Sequence, residues 1–135
     1  MAKAAEINKL IVQQNKSIRL ILKVGRRSNL GPLYKKVNLL RIKDQIELDL
    51  LKISFRYSND NLPIRITNLF DLGNHLYETR NRNNLRAPHH TTFQYGLSFL
   101  GQAPSLWLNL PEQLKSKNSV RSFIKGFIKM KVTEY

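Results

Sequence analysis

Ser119-Val120-Arg121-Ser122-Phe123-Ile124-Lys125-Gly126-Phe127-Ile128-Lys129-Met130-Lys131 carries a clear helical period. Its Val120, Phe123, Ile124, Phe127 and Ile128 recur at i, i+3, i+4, i+7 and i+8, the spacing of one helix face. Ser119 stands where a side-chain oxygen can cap the first turn. Arg121, Lys125 and Lys129 follow one another at four-residue steps elsewhere on the same cylinder, as a basic stripe. From Lys115 to Lys131 there are six basic residues and no acid.

The same period runs at the other end of the chain. Residues 4–24 read as an amphipathic helix, with Ile7, Leu10, Ile11, Ile18, Ile21 and Leu22 on one face and Gln14 interrupting it. Lys9, Lys16 and Lys23 recur every seven residues on the opposite face, with Arg19 beside them and Gly25 placed to cap the end. Leu30-Gly31-Pro32 reads as a break, with Pro32 opening a short helix to Val37. A second long helix is expected over Lys43–Tyr57. It carries Ile46, Leu50, Ile53 and Tyr57 on one side and Leu48, Leu51 and Phe55 on another, so it is more deeply buried than the first. Its Asp44, Glu47 and Asp49 fall where the helix dipole favours acids. Ser58-Asn59-Asp60-Asn61 ends it, and Leu62-Pro63 opens a further short helix toward Phe70.

Residues 71–99 have no helical period. Asn81, Asn83, Asn84 and Pro88 describe a long basic loop, and Thr91, Thr92, Phe93 and Tyr95 fit a short strand. Pro104–Asn109 fits one or two helical turns closed by Leu110-Pro111. The expected fold is therefore mainly α: a small helical domain with a long basic loop and a short β element in its middle. Within one domain, residues 1–70 form a helical region, 71–99 the loop, and 100–135 the Trp-containing turn and the basic helix.

Charge bounds the partner. The chain has 135 residues and a net charge of +14, which costs compact-state stability unless a polyanion relieves it. Residues 1–43 hold 11 Lys/Arg against the single acid Glu6; residues 44–78 hold three against six acids; residues 79–135 hold nine against two. Two basic ends flank a mildly acidic middle, a division that solubility alone does not require. Nucleic acid is the partner whose dense phosphates best match such ends. The chain has no Cys, which excludes disulfides, thiol catalysis and Cys-based zinc sites. No apolar run approaches a bilayer span of ~20 residues, and Met1–Glu6 lacks a secretory apolar core, so the expected compartment is nuclear or cytoplasmic, with no membrane partner.

Five blocks then resemble one family in order. They are Leu33-Tyr34 with Leu39-Leu40 and Ile42-Lys43-Asp44; Tyr57 with Leu62-Pro63 and Phe70; His75, Tyr77, Thr79-Arg80, Asn84-Leu85 and Pro88; Ser98, Pro104, Leu106-Trp107 and Leu110-Pro111; and Phe123-Ile124-Lys125. Together they resemble the C-terminal segment of reverse transcriptases from non-LTR, LINE-type (jockey-like) retrotransposons, where a helical thumb and a basic tail follow the polymerase core. The family usually carries Gly where Ala103 stands and Asn where Leu108 stands. The resemblance implies a thumb-like helical region, a template or duplex held near a polymerase site, and a polymerase core of the same element as partner.

The chemistry of polymerisation is not expected from this chain alone. That reaction needs paired carboxylates on two metal ions ~4 Å apart. No Asp-Asp pair occurs, and Asp44 and Asp49 lie five apart on the expected helix, facing different ways. His89 and His90 are neighbours that a strand would point to opposite faces, and His75 is distant, so no metal site or cofactor is expected. Trp107, set among Leu106, Leu108 and Leu110, reads as core rather than as a base platform. Tyr77 and Tyr95 are better stacking candidates, lying near Arg80, Arg82 and Arg86, although Tyr77 as a loop anchor fits equally.

The expected function is nucleic-acid binding, to RNA or an RNA/DNA duplex, without catalysis. Lys9, Lys16, Arg19, Lys23, Arg26 and Arg27 would contact phosphates from the first helix and its end, Arg80, Arg82 and Arg86 from the loop, and Arg121, Lys125 and Lys129 from the tail, with Tyr77 as a nucleic-acid-binding residue of the loop through stacking. Two alternatives stand beside it: a structural or protein-interaction helical module, and a decayed retroelement remnant.

Overall fold

The computed structural model of the chain describes residues 4–59, 62–63 and 98–135. These residues form six helices and no strand: α1 (Ala4–Ile21), α2 (Leu30–Val37), α3 (Ile42–Ser58), α4 (Phe99–Leu108), α5 (Glu112–Lys115) and α6 (Val120–Glu134). The fold is mainly α, as the periodicity requires. The helix expected toward Phe70, the basic loop with Tyr77, Arg80, Arg82 and Arg86, and the strand at Thr91–Tyr95 lie outside the described residues. Two compact units are present, Met1–Leu48 with Ile124–Tyr135, and Asp49–Phe123.

In the first unit, α1 packs on α2 through a polar hub. Gln14, the residue that interrupts the apolar face of α1, donates from Nε2 to the Leu40 carbonyl at 2.8 Å. Its Oε1 accepts the backbone N–H of Ile42 at 3.1 Å and lies 2.9 Å from the Tyr34 hydroxyl. Tyr34 is buried, and its hydroxyl also sits 2.8 Å from Asn15 Oδ1. One glutamine thus satisfies backbone groups in the connection between α2 and α3 that no helix would pair.

The helix ends differ from expectation in two places. Gly25 does not cap α1. Lys23 does, at φ 52°, with Lys23 N–H donating to the Leu20 carbonyl and Val24 N–H to the Arg19 carbonyl. That bond pair is the Schellman motif, here with a lysine in the left-handed region where glycine is usual. The helix α2 begins at Leu30 rather than after Pro32. Asn29 Oδ1 accepts the Gly31 N–H at 3.3 Å, and Pro32 falls within the first turn, where its missing N–H costs nothing. Asn38, at φ 53°, closes α2 with the same motif, Asn38 N–H to Lys35 and Leu39 N–H to Tyr34.

The second unit has an aromatic core. Phe55 and Phe123 stack at 4.6 Å between ring centres, and Trp107 approaches both at 6.5 Å. Trp107 is only 4% exposed, as a core residue should be. Truncating either phenylalanine to alanine costs about 3–5 kcal/mol by cavity arithmetic. The helix carrying Trp107 is longer than one or two turns. It starts at Phe99, where Ser98 Oγ accepts the Gly101 N–H, and it accommodates Pro104 internally. A proline read as an opening residue is here a buried interior one, lacking one ladder bond. Helix α3 is indeed the more buried of the two long helices: Leu48, Leu51, Ser54, Phe55 and Tyr57 are buried, against Ile18 alone on α1. Ser119 caps α6, its Oγ accepting the Ser122 N–H at 3.2 Å.

Candidate nucleic-acid interface

The basic residues at the end of α1 are assembled by local backbone chemistry. The Lys23 cap turns the chain, and Ser28 N–H then bonds the Gly25 carbonyl at 3.1 Å. This four-residue turn puts Arg26 and Arg27 at its two central positions, both exposed. Arg19 reaches from α1 to hold the turn, donating from a guanidinium nitrogen to the Ser28 carbonyl at 3.3 Å. Half-buried and so engaged, Arg19 positions the turn as well as adding charge.

Between α1 and this turn lies an open groove of about 720 Å³, lined by Val12, Lys16, Arg19, Leu20, Arg26 and Arg27 among others. It brings together four of the six basic residues expected to act at this end. Lys9 and Lys23 are exposed but are not among its lining residues. Arg121, Lys125 and Lys129 are exposed on α6 at four-residue steps. The loop residues Tyr77, Arg80, Arg82 and Arg86 lie outside the described residues.

Charge in the first unit is sorted. Its acids are engaged within the protein: Lys131 lies 3.0 Å from Glu47 and 3.7 Å from Asp44, and the Tyr135 hydroxyl donates to Asp44. Burial pulls the Lys131 pKa down, but the hydrogen bond and charge of Glu47, with Asp44 and Glu134, outweigh it and raise the net value. Burial and the Asp44 hydrogen bond push the Tyr135 hydroxyl well above its ordinary range. Burial likewise raises Tyr34, against the opposing charges of Arg41 and Arg19. Among the described residues, Lys9, Lys16, Arg26, Arg27, Lys125 and Lys129 form no ion pair with a carboxylate. Their side chains are exposed.

A second cluster escaped sequence reasoning. The Arg41 guanidinium lies 4.3 Å from the Tyr135 ring centre and 5.5 Å from that of Tyr34, and the Arg41 backbone N–H donates to the Tyr135 hydroxyl at 3.0 Å. The two tyrosine rings meet edge to face at 5.7 Å. Arg41 and Lys43 line a neighbouring cavity of about 410 Å³ with Ile11, Leu30, Tyr34 and Asp44. No local pattern could have announced contacts between residues 91 and 94 positions apart. The same holds for Asp44, read as a dipole charge and found as the acceptor of a distant tyrosine.

Compared with family models, curated proteins and solved structures, the chain finds no match in any of the three. Among the described residues, no three His, Cys, Asp or Glu side chains gather as a metal site would need. No helix among them is long and apolar enough to cross a membrane.

Proposed function

We propose that this chain is a non-catalytic nucleic-acid-binding segment of the kind found in the thumb and tail of a LINE-type reverse transcriptase. In that role it holds RNA or an RNA/DNA duplex beside a polymerase core. The observation that supports this reading is the α1 groove, where Lys16, Arg19, Arg26 and Arg27 line one surface. Four cations converging with no carboxylate among the described lining residues are costly by self-repulsion, and a phosphate backbone removes that cost while releasing counterions. The exposed stripe of Arg121, Lys125 and Lys129 would add contacts from α6, and Arg80, Arg82 and Arg86 from the loop.

The test is charge reversal. Changing Lys16, Arg26 and Arg27 together to Glu is expected to weaken RNA binding at low salt by about 100-fold or more, with unchanged helical content. Undiminished binding would remove the groove from the reading. Magnesium-dependent nucleotide incorporation by the purified chain would contradict the non-catalytic part.

The protein-interaction reading keeps one supporting observation. Leu10 and Ile21 on α1 are 54% and 66% exposed. Self-association in sedimentation that Leu10→Ser with Ile21→Ser abolishes, alongside no RNA affinity, would favour it.

A further inference from the structure

We infer that the α1 groove is a site for single-stranded nucleic acid, with apolar residues set to receive unstacked bases between cations that hold the phosphates. The inference rests on the nucleic-acid reading above and narrows its ligand. Val12, Lys16 and Leu20 follow one another at four-residue steps, so they form a single stripe along α1, about 6 Å apart along the axis. Val12 is 49% exposed and Leu20 81%. A leucine so exposed buries little of its side chain within the fold and leaves apolar surface in water. Arg26 and Arg27 face this stripe from the turn across the groove, and Val24 adds a third aliphatic group to its lining.

The alternation decides among polyanions. A duplex keeps its base faces stacked inside and offers a protein phosphates, sugars and groove edges. Against a duplex, Val12 and Leu20 would meet the sugar–phosphate backbone and bury little apolar surface. A single strand exposes base faces, so the same groove can neutralise phosphates and cover apolar ring surface together. An anionic membrane asks for the opposite arrangement, a contiguous apolar face with cations at its rim. Here Lys16 sits between Val12 and Leu20, so inserting the stripe would carry an ammonium group into the acyl region.

The experiment compares a labelled mixed-sequence RNA of about 20 nucleotides, the same RNA in a blunt duplex, and phosphatidylserine-containing vesicles, each with the full chain at moderate salt. The expected result is a single-strand preference of about tenfold over duplex, with weaker binding still to vesicles. Leu20→Ser should lower single-strand affinity about fivefold, leave duplex affinity and the salt slope unchanged, and keep the wild-type melting curve. Leu108→Ser, at a leucine 57% exposed outside the groove, should change neither affinity. Equal affinity for strand and duplex, or insensitivity to Leu20→Ser, overturns the single-strand site alone. Vesicle binding stronger than RNA binding overturns it in favour of a lipid surface. Failure to bind any of the three sinks the nucleic-acid reading as well.

Discussion

Gly31→Ala should destabilise the protein although the residue is in a helix, where alanine is normally the better choice. A Cβ on Gly31 would lie 2.3 Å from the Tyr135 backbone carbonyl oxygen, where ordinary contact begins at 3.4 Å. The Tyr135 backbone must therefore retreat by about 1 Å, and its ring moves with it. At stake are the hydrogen bond to Asp44, about 1.5–3 kcal/mol for a charged acceptor, and the Arg41 stacking, about 0.5–1 kcal/mol. The edge-to-face contact with Tyr34 adds about 0.5–1.5 kcal/mol. Against a partial loss of these stands a helix-propensity gain of about 0.5 kcal/mol near the start of α2. The net cost is about 2 kcal/mol, or some 6–8 °C in Tm for a chain of this size. Thermal unfolding followed by circular dichroism measures it. Deleting Tyr135 should invert the sign, because Gly31→Ala then keeps only the propensity gain. An equal loss in both backgrounds would place the cost in α2 itself and not in the contact with Tyr135.

Three further outcomes are expected. Lys23→Gly should stabilise the fold by about 1 kcal/mol, since Lys23 holds a left-handed conformation, yet flatten the salt dependence of RNA binding by somewhat less than one unit of log–log slope; chemical denaturation and anisotropy read the two effects separately. Tyr135 holds its proton more tightly when folded, so its contribution is complete below its ordinary pKa of 10.0 and is lost as pH rises beyond it. Lys131 and Tyr34 shift the same way, so stability should fall above about pH 10, and Tyr135→Phe should make that fall shallower; an unchanged profile would show that the hydroxyl is not the titrating partner of Asp44. Gln14→Leu should cost about 2 kcal/mol in urea unfolding, because it strands the Leu40 carbonyl and the Ile42 N–H, whereas a stabilising effect would make Gln14 a mere interruption of an apolar face.

What could be read in advance follows the range of each interaction. Helix α6 was legible because Val120, Phe123, Ile124, Phe127 and Ile128 repeat a period set by the backbone alone. The deeper burial of α3 was legible for the same reason. Caps were less so: Gly25 is the conformationally cheaper residue, but the bonds Lys23–Leu20 and Val24–Arg19 close the helix two residues earlier. Pro104 misled because proline disfavours helix interiors, and the buried surface around Ala103, Pro104 and Trp107 outweighs that local preference. The Tyr34, Arg41, Asp44 and Tyr135 cluster was invisible, since its members meet only after the chain has closed. The basic groove was half legible. Arg26-Arg27 stood out as a pair of cations after a helix, whereas the role of Arg19 in holding their turn depends on Ser28.

That the cations of the α1 groove grip phosphates is tested by RNA affinity against salt concentration, for the full chain and for the Lys16, Arg26 and Arg27 triple Glu variant. The expected log–log slope for single-stranded RNA is about −2 to −4, from at least three to five phosphate contacts, and it should lose about 2 units in the variant, roughly 0.7 for each of the three contacts removed. A slope near zero in the unmodified chain, or an equal slope in both, would contradict it.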